Sequence, residues 1–417
     1  MKIKALKLLN HNRFDVAAKH LYARHRENNY DTLFGKDVYE NHLGVWNNFN
    51  ELDNPNKDCY EDFEYEFDRI LDSIKETGFD SSLGTLPITE HMSLLNGGHR
   101  LAASILYDKE VECHIAESLG EGQLDCSSHY FRSKGLSPFY LDSMAVEYAS
   151  MDEDTKVITI FPSATIQNKM GEVLNILEKH CEIIHVKQFP HKNIGPLNII
   201  RQLYLGEDWG LGWNENFAGF ARKAELCFTN DAPVVAFLVK ISDSKGPVEL
   251  KEDIRSIFGC GKHSCHINDT HEETMRIVRV FFNDNSIHHL NNSNYIYYSK
   301  FQEQFEYYKK YITDNNLNPD KYCITASSVL STYGLREGQD LDYLHDGDTI
   351  DGHEDIHSHN QEIHNYTKTR DDIIYNPNNH FWYDGVKIAS LEVIRELKQN
   401  RNEPKDIVDV NMIEGVL

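Results

Sequence analysis

Three times along this chain a short apolar strand pattern runs through a polar turn straight into a helix pattern. MSLL leads through NGGHR into LAASILY (92–107), SCHI leads through NDT into HEETMRIVRVFF (264–282), and YCITA leads into SSVLSTY (322–333). A strand joined directly to a helix cannot bury its apolar side alone; it needs a sheet, and the helix needs a face of that sheet. The junctions therefore imply layered α/β and α+β units. Their spacing over 417 residues, against roughly 150 residues per domain, predicts a multidomain chain divided at 1–150, 151–291 and 292–417.

Charge narrows the function. Forty-two Lys and Arg stand against 66 Asp and Glu, a formal net charge of -24, which repels a phosphate backbone over most of the surface and excludes extended nucleic acid as a partner. A nucleotide is not excluded, since a few backbone N–H groups and local cations suffice for a triphosphate. No run of about 18 apolar residues occurs, so no membrane span is expected. The opening MKIKALKLLNHNRFD lacks the apolar stretch and cleavage site of a signal peptide, which predicts a cytoplasmic location. Eight cysteines without a CxxC pair predict reduced, mostly buried thiols.

In the first region Phe63, Phe67, Ile70, Leu71 and Ile74 recur at helical spacing up to a stop at Gly78, and LPIT (86–89) and MSLL (92–95) read as strands. From Lys156 the order is strand VITIF, a helix at 171–180, strand EIIHVKQF, a helical stretch at 195–228, strand PVVAFLVKI, and helices at 250–258 and 272–283. Two strand–helix–strand crossovers in that order suit a ferredoxin-like split βαβ unit. The third region reads as helix FQEQFEYYKKYI, strand YCITA, a short helix, strand DLDYL, and a final strand–helix pair GVKIA–SLEVIRELK. Between them, HDGDTIDGHEDIHSHNQEIH (345–364) is expected to be a mobile polar loop. Within it His357 and His359 on a strand, or His353 and His357 on a helix, share a face open to a metal; His345 and His364 flank them.

Three places can carry phosphate chemistry. At Asn96, Gly97, Gly98, His99 and Arg100 the glycines allow a tight turn whose N–H groups converge with the positive end of a helix dipole, while Arg100 offers a bidentate contact and His99 an acid–base group. LLNGGHRLAASILY, preceded by SIKETGF, resembles the (D/N)GxHRLxAA motif of ParB-like domains, a fold used by CTPases and small-alcohol kinases. That resemblance implies ATP or CTP phosphates on Gly97, Gly98, His99 and Arg100.

The second place is Arg255, Lys262, His263 and His266, where a strand-end histidine beside cations can bind or accept a phosphoryl group. VITIFPSATIQNKMGEVLNILEKHCEIIHVKQF and IRSIFGCGKHSCHINDTHEETMRIVRVFF resemble nucleoside diphosphate kinases. The resemblance implies His266 as the phosphate-accepting histidine, Arg255 as a phosphate-binding arginine and His263 at a nucleotide-binding position. It departs from the family at Phe161, where a lysine is usual, and in a shortened loop before Arg255.

The third is the pair Asp340 and Asp342, which alternate with Leu341 and so project from one face of a strand about 7 Å apart, a spacing suited to Mg²⁺ or Mn²⁺. Ser327 and Ser328 open the helix upstream. A surface pairing of the carboxylates with a cation such as Arg336 is the alternative reading. ASSVLSTYGLREGQDLDYL and GVKIASLEVIRELKQNRNEPKDIVDV resemble the signature and the ending of minimal nucleotidyltransferases of the polymerase-beta superfamily. The resemblance implies triphosphate at Ser327 and Ser328, a third carboxylate at Asp371 or Asp372 ahead of a strand IIY, and bracing by Lys398, Lys405, Asp406 and Asp409; Ala326 replaces the usual glycine.

Together these resemblances imply nucleotide-dependent phosphoryl or nucleotidyl transfer to a small alcohol or sugar, as in proteins of bacterial surface-polysaccharide biosynthesis. Two other classes stay open: a regulatory or scaffold protein of degenerate nucleotide domains, and a nucleotidyltransferase toxin, against which the charge weighs.

Overall fold

One large apolar core runs through all three regions, and each region adds one small sheet to it. The computed structural model describes residues 1–51, 57–116, 124–212, 215–242, 245–293 and 298–417. In the first region β1 (Lys2–Lys4), β2 (Leu86–Ile88) and β3 (Glu110–Ile115) form a sheet of order β1-β3-β2, with β1 antiparallel and β2 parallel to β3. The helix Tyr60–Thr77 buries Phe63, Phe67, Leu71 and Ile74 and ends at Gly78, whose φ of 78° suits a residue without a side chain. The expected strand at 92–95 does not form. Met92 has a φ of 62° and only Leu94 bridges to Ile88, because the chain is already turning toward the next helix.

The second region holds β4 (Thr155–Ile160), β5 (Cys181–Phe189), β6 (Val234–Ile241) and β7 (Cys265–Ile267), antiparallel throughout in the order β5-β6-β4-β7. β6 looks uniformly apolar because its pleat feeds two cores. Val234, Ala236 and Leu238 join the large shared core, while Val235, Phe237 and Val239 face the helices Met170–His180 and Pro247–Phe258 in a second one. The stretch expected as one helix at 195–228 is two, Gly195–Leu203 and Ala218–Cys227. Helix His271–Phe281 starts at a capping box in which Thr270 and Glu273 satisfy each other's backbone N–H groups.

The third sheet has the order β10-β9-β8-β12-β11, from β8 (Tyr322–Thr325), β9 (Leu341–His345), β10 (Ile356–Ser358), β11 (His380–Tyr383) and β12 (Val386–Ala389). The β11–β12 hairpin turns on Asp384 and Gly385, both with positive φ (49° and 81°), the geometry a two-residue hairpin demands. The His-rich segment is not a loose loop. It supplies β10, which pairs in parallel with β9, and a 3-10 turn at Asn360–Asn365. Among the described residues no helix is long and apolar enough to cross a membrane, and all eight cysteines are free thiols, five of them buried.

Helix Pro138–Met151 ties the first two regions together. Its Glu147 accepts from His20 Nδ1 (2.6 Å) and from Arg24 Nε and Nη2 (3.0 and 2.6 Å); its Asp142 meets His185 Nε2 (2.9 Å) and Lys187 Nζ (2.7 Å) of β5. Burial alone raises a carboxyl pKa, but Arg24 and His20 outweigh it and hold Glu147 well below the usual range. Glu147→Ala removes the shared acceptor of buried His20 and of Arg24, whose side chain is 36% exposed, an expected loss of about 1–3 kcal/mol in equilibrium urea unfolding near neutral pH. Because the folded pKa is depressed, this stabilisation is present above about pH 4 and fades as pH falls below it, so the variant should show less acid sensitivity than the wild type.

Candidate functional site

The Asn96–Arg100 loop is organised around the chain's own charges. Gly97 takes a φ of 95° and caps helix Gly98–Leu106. A Cβ on Gly98 would lie 2.5 Å from Arg13 Nη2 and 3.1 Å from Asp15 Oδ2, so the glycine makes room for a guanidinium of the protein itself. Arg13 grips both Asp15 oxygens at 2.8 Å and donates to the Leu94 carbonyl. Lys19 Nζ lies 2.7 Å from Asp15 Oδ2 and 3.3 Å from His42 Nε2, and all four side chains are buried. Burial lowers the pKa of His42 far below its ordinary value and keeps it a neutral acceptor. These four residues carried no sequence signal beyond the i,i+4 spacing of Asp15 and Lys19. His99 is turned inward, its Nε2 2.8 Å from Tyr39 Oη, and burial keeps it neutral. Arg100 donates to the Gly84 carbonyl (2.6 Å), and Asn96 Oδ1 accepts the Gly97 N–H (2.6 Å). The expected phosphate donors His99 and Arg100 are thus engaged within the fold.

In the second region His266 sits on β7 opposite Thr159 of β4. Its ring packs edge-on against Tyr204 with centroids 4.7 Å apart, and its buried Nε2 has no hydrogen-bond partner among the described residues. Burial first, then Lys251, Lys223, Arg276 and Arg255, bring its pKa down to about 3, so the imidazole is neutral. Phe161 is buried, and Lys223 from helix Ala218–Cys227 lies 5.6 Å from the centre of its ring. A lysine from another element therefore approaches the position where Phe161 had broken the resemblance, a proximity that spacing along the chain could not reveal. Arg255 pairs with Glu252 (2.6 Å), Lys262 is exposed, and the His263 carbonyl accepts from Ser163 Oγ (2.6 Å).

In the third region Ser328 Oγ donates to the Asp340 carbonyl (3.2 Å) and accepts the Asp342 N–H (3.1 Å), fixing helix Ser327–Thr332 against the two aspartates. Ser328 is fully buried and acts as this brace, whereas Ser327 is partly exposed. Asp340 lies one residue before β9 rather than within it, and His357 of β10 stands in register with Asp342. Burial, then the charge of Asp340, pushes the Asp342 pKa up to about 6. Arg336 does not neutralise the pair. It forks onto Asp409 (2.6 and 2.7 Å), Lys398 bridges Asp406 and Asp409 (3.1 and 2.8 Å), and Arg401 holds Asp406. Lys405 stays outside this network, exposed and paired with Glu403.

The two aspartates expected to supply a third carboxylate are engaged with the first region. The expected strand IIY is part of a helix, Arg370–Tyr375, and the aspartates at its start serve a different contact. Asp371 Oδ2 accepts the Asp31 N–H (2.9 Å), and Asp372 accepts from Thr32 Oγ1 (2.8 Å), Asn376 and Asn379. Among the described residues, the one set of three ligand-type side chains within 4.8 Å of each other is Asp58, Cys59 and Asp62, where Asp62 already accepts from the other two as a helix-start turn. The histidines are dispersed: His345 bonds Ser358 Oγ and the Gly347 carbonyl, and His359 bonds Tyr366 Oη. No protein-family profile, curated protein or solved structure matches this chain.

Two substitutions test these local geometries. Gly98→Ala forces a methyl onto the Arg13–Asp15 pair and should destabilise the protein by about 1–3 kcal/mol, seen as a lower melting temperature without nucleotide. Ala326 has φ 52° and ψ -134°, a region that favours glycine. Relief of about 1–3 kcal/mol of strain, less about 0.5–1 kcal/mol for the added backbone freedom, should make Ala326→Gly more stable in the same measurement; a drop would show that the methyl's packing outweighs the strain.

Proposed function

We propose that the chain transfers a phosphoryl or nucleotidyl group from ATP or CTP to a small hydroxyl-bearing acceptor, with Asp340 and Asp342 holding Mg²⁺ or Mn²⁺. One observation carries this reading. Among the described residues neither carboxylate has a hydrogen-bond donor or ion-pair partner on its side chain, while Arg336, Lys398 and Arg401 nearby are committed to Asp406 and Asp409. Two like charges left side by side are stabilised by a shared cation, and a divalent ion supplies it. His357 stands in register with Asp342 on the neighbouring strand.

In such a step the acceptor oxygen bonds to a phosphorus of the triphosphate as the bond to the leaving phosphate breaks. Pyrophosphate leaves if the nucleotidyl group moves, and nucleoside diphosphate if the terminal phosphoryl moves; the hydroxyl proton passes to a carboxylate or to water. The metal supplies charge neutralisation on the phosphate oxygens. Ser328, by fixing the backbone at both aspartates, keeps the two ligands at a set separation. In the second region, the antiparallel strand order β5-β6-β4-β7 supports a ferredoxin-like, nucleoside diphosphate kinase-like reading, and the cations around His266 support an anion there.

The second reading is a protein that binds nucleotide without turning it over, in a regulatory role. Ala326 in a glycine conformation and the commitment of Asp371 and Asp372 to Asp31 and Thr32 favour it.

Titration of the full chain with Mn²⁺ and each triphosphate separates the two. Ligand at a hundred times its dissociation constant should add about 2.7 kcal/mol of stability, and Asp340→Asn and Asp342→Asn should each abolish that gain. The Asp342 pKa of about 6 in the folded state lies above its unfolded value, so the metal-free protein should lose stability as pH rises from about 4 to 6. The metal-induced gain should be larger at pH 7.5 than at pH 5, where protons compete for the site. No metal response at either pH sinks the proposal; binding without release of pyrophosphate or nucleoside diphosphate, followed by phosphorus NMR with mixed sugars and alcohols, selects the second reading.

A further inference from the structure

Away from all three loops lies a cavity of about 390 Å³ where the three regions meet. Helix Asp15–Glu27 contributes Arg24, helix Pro138–Met151 contributes Ser143 and Glu147, helix His271–Phe281 contributes Arg279, and the third region contributes Asp320, Lys321, Tyr375, Trp382 and Lys387. Its volume falls in the range of small-molecule sites and is far too small for a polymer or a protein segment.

The charges on its wall do not balance. Four cations, Arg24, Arg279, Lys321 and Lys387, face two carboxylates, Glu147 and Asp320. Each carboxylate is already taken: Glu147 by Arg24 (2.6 Å) and Asp320 by Arg279 (2.6 Å). Lys387 is 3% exposed and, among the described residues, its ammonium donates to the carbonyls of Asp320 and Ile374, both at 2.6 Å, with no carboxylate oxygen within ion-pair distance. Arg279 uses one nitrogen on Asp320 and lies 4.5 Å from the centre of the Trp382 ring, and Lys387 lies 5.3 Å from the same ring. Asp320 acts on Lys387 only through space, its carboxylate being bonded to Arg279, and burying a cation so weakly compensated is costly. Dispersed acidic residues are plentiful here, yet none is placed on Lys387.

We propose that this cavity binds a small phosphate monoester, whose two charges match the excess of two cations and whose oxygens suit a guanidinium fork beside a point-charge ammonium. The organic part rests against the aromatic wall formed by Tyr375 and Trp382. Because the wall is drawn from all three regions, the ligand joins them, and its binding stabilises the whole chain rather than one part. This site is separate from the aspartate pair and does not depend on a metal there.

The test uses the full chain without metal and follows its melting temperature with inorganic phosphate, ribose 5-phosphate, AMP and, as a dicarboxylate control, succinate. A saturable rise with ribose 5-phosphate or AMP is expected, with succinate inert. Lys387→Met and Arg279→Gln should each weaken that response at least tenfold in apparent affinity, and Asp342→Asn should leave it unchanged. Should the charge variants fold poorly, Ser143→Leu fills the cavity while keeping every charge and should abolish the response in a folded protein. A response to none of the phosphate probes, one that survives Lys387→Met and Ser143→Leu together, or one shared equally by succinate overturns the proposal.

Discussion

The first two regions lean on one helix, Pro138–Met151, which is buried along both of its faces. Two of its residues are carboxylates that have lost their water. Asp142 looks toward the second region and is met by His185 and Lys187; Glu147 looks toward the first and is met by His20 and Arg24. A buried carboxylate is tolerable only when such partners arrive with good geometry, and partners from two directions cannot arrive unless β5 and helix Asp15–Glu27 are both seated. The helix therefore orients the two regions through directional bonds, where apolar packing alone would let them slide. It also lines the central cavity with Ser143 and Glu147, so the same contacts that join the regions set the shape of the space between them.

A common pattern appears at the three loops. Where the fold has a polar group to spare, it is used internally. Gly98 makes space for Arg13, Ser328 braces the two aspartates, and Asp371 and Asp372 hold Asp31 and Thr32 of the first region. What is left unsatisfied is then more informative than what matches a motif. Among the described residues, Asp340 and Asp342 have no side-chain hydrogen bond or ion pair, His266 Nε2 has no partner amid nearby cations, and Lys387 has no carboxylate within ion-pair distance, and the proposals rest on these groups.

Local pattern was enough for much of the fold because strand and helix periodicity is a property of neighbours in the chain. The apolar face of Tyr60–Thr77, the apolar strand runs of β4, β5 and β6, and the helix His271–Phe281 are all legible in that way. The failures share a cause as well. MSLL reads as a strand but has only Ile88 to bridge, IIY reads as a strand but is capped into a helix by Thr369, and the His-rich segment reads as a loop but finds the edge of β9. In each case an available or missing partner overrode a weak local preference.

What the sequence by itself determined is the residue chemistry and the direction of each strand-to-helix turn: two alternating aspartates, a Gly-Gly loop, a histidine at a strand end, and an acidic surface. What only the tertiary structure decided is which of those groups remain free. Arg336 could have neutralised Asp342, but helix Pro404–Glu414 brings Asp409 to it first; Phe161 stands where the resemblance implies a lysine, and Lys223 from another helix lies 5.6 Å from the centre of its ring. Pairing energies fall steeply with distance and with exposure to water, and distances between residues far apart in the chain are set by packing. A charge's partner is therefore a fact of the folded state, and so is the central cavity, whose walls come from segments separated by up to several hundred residues.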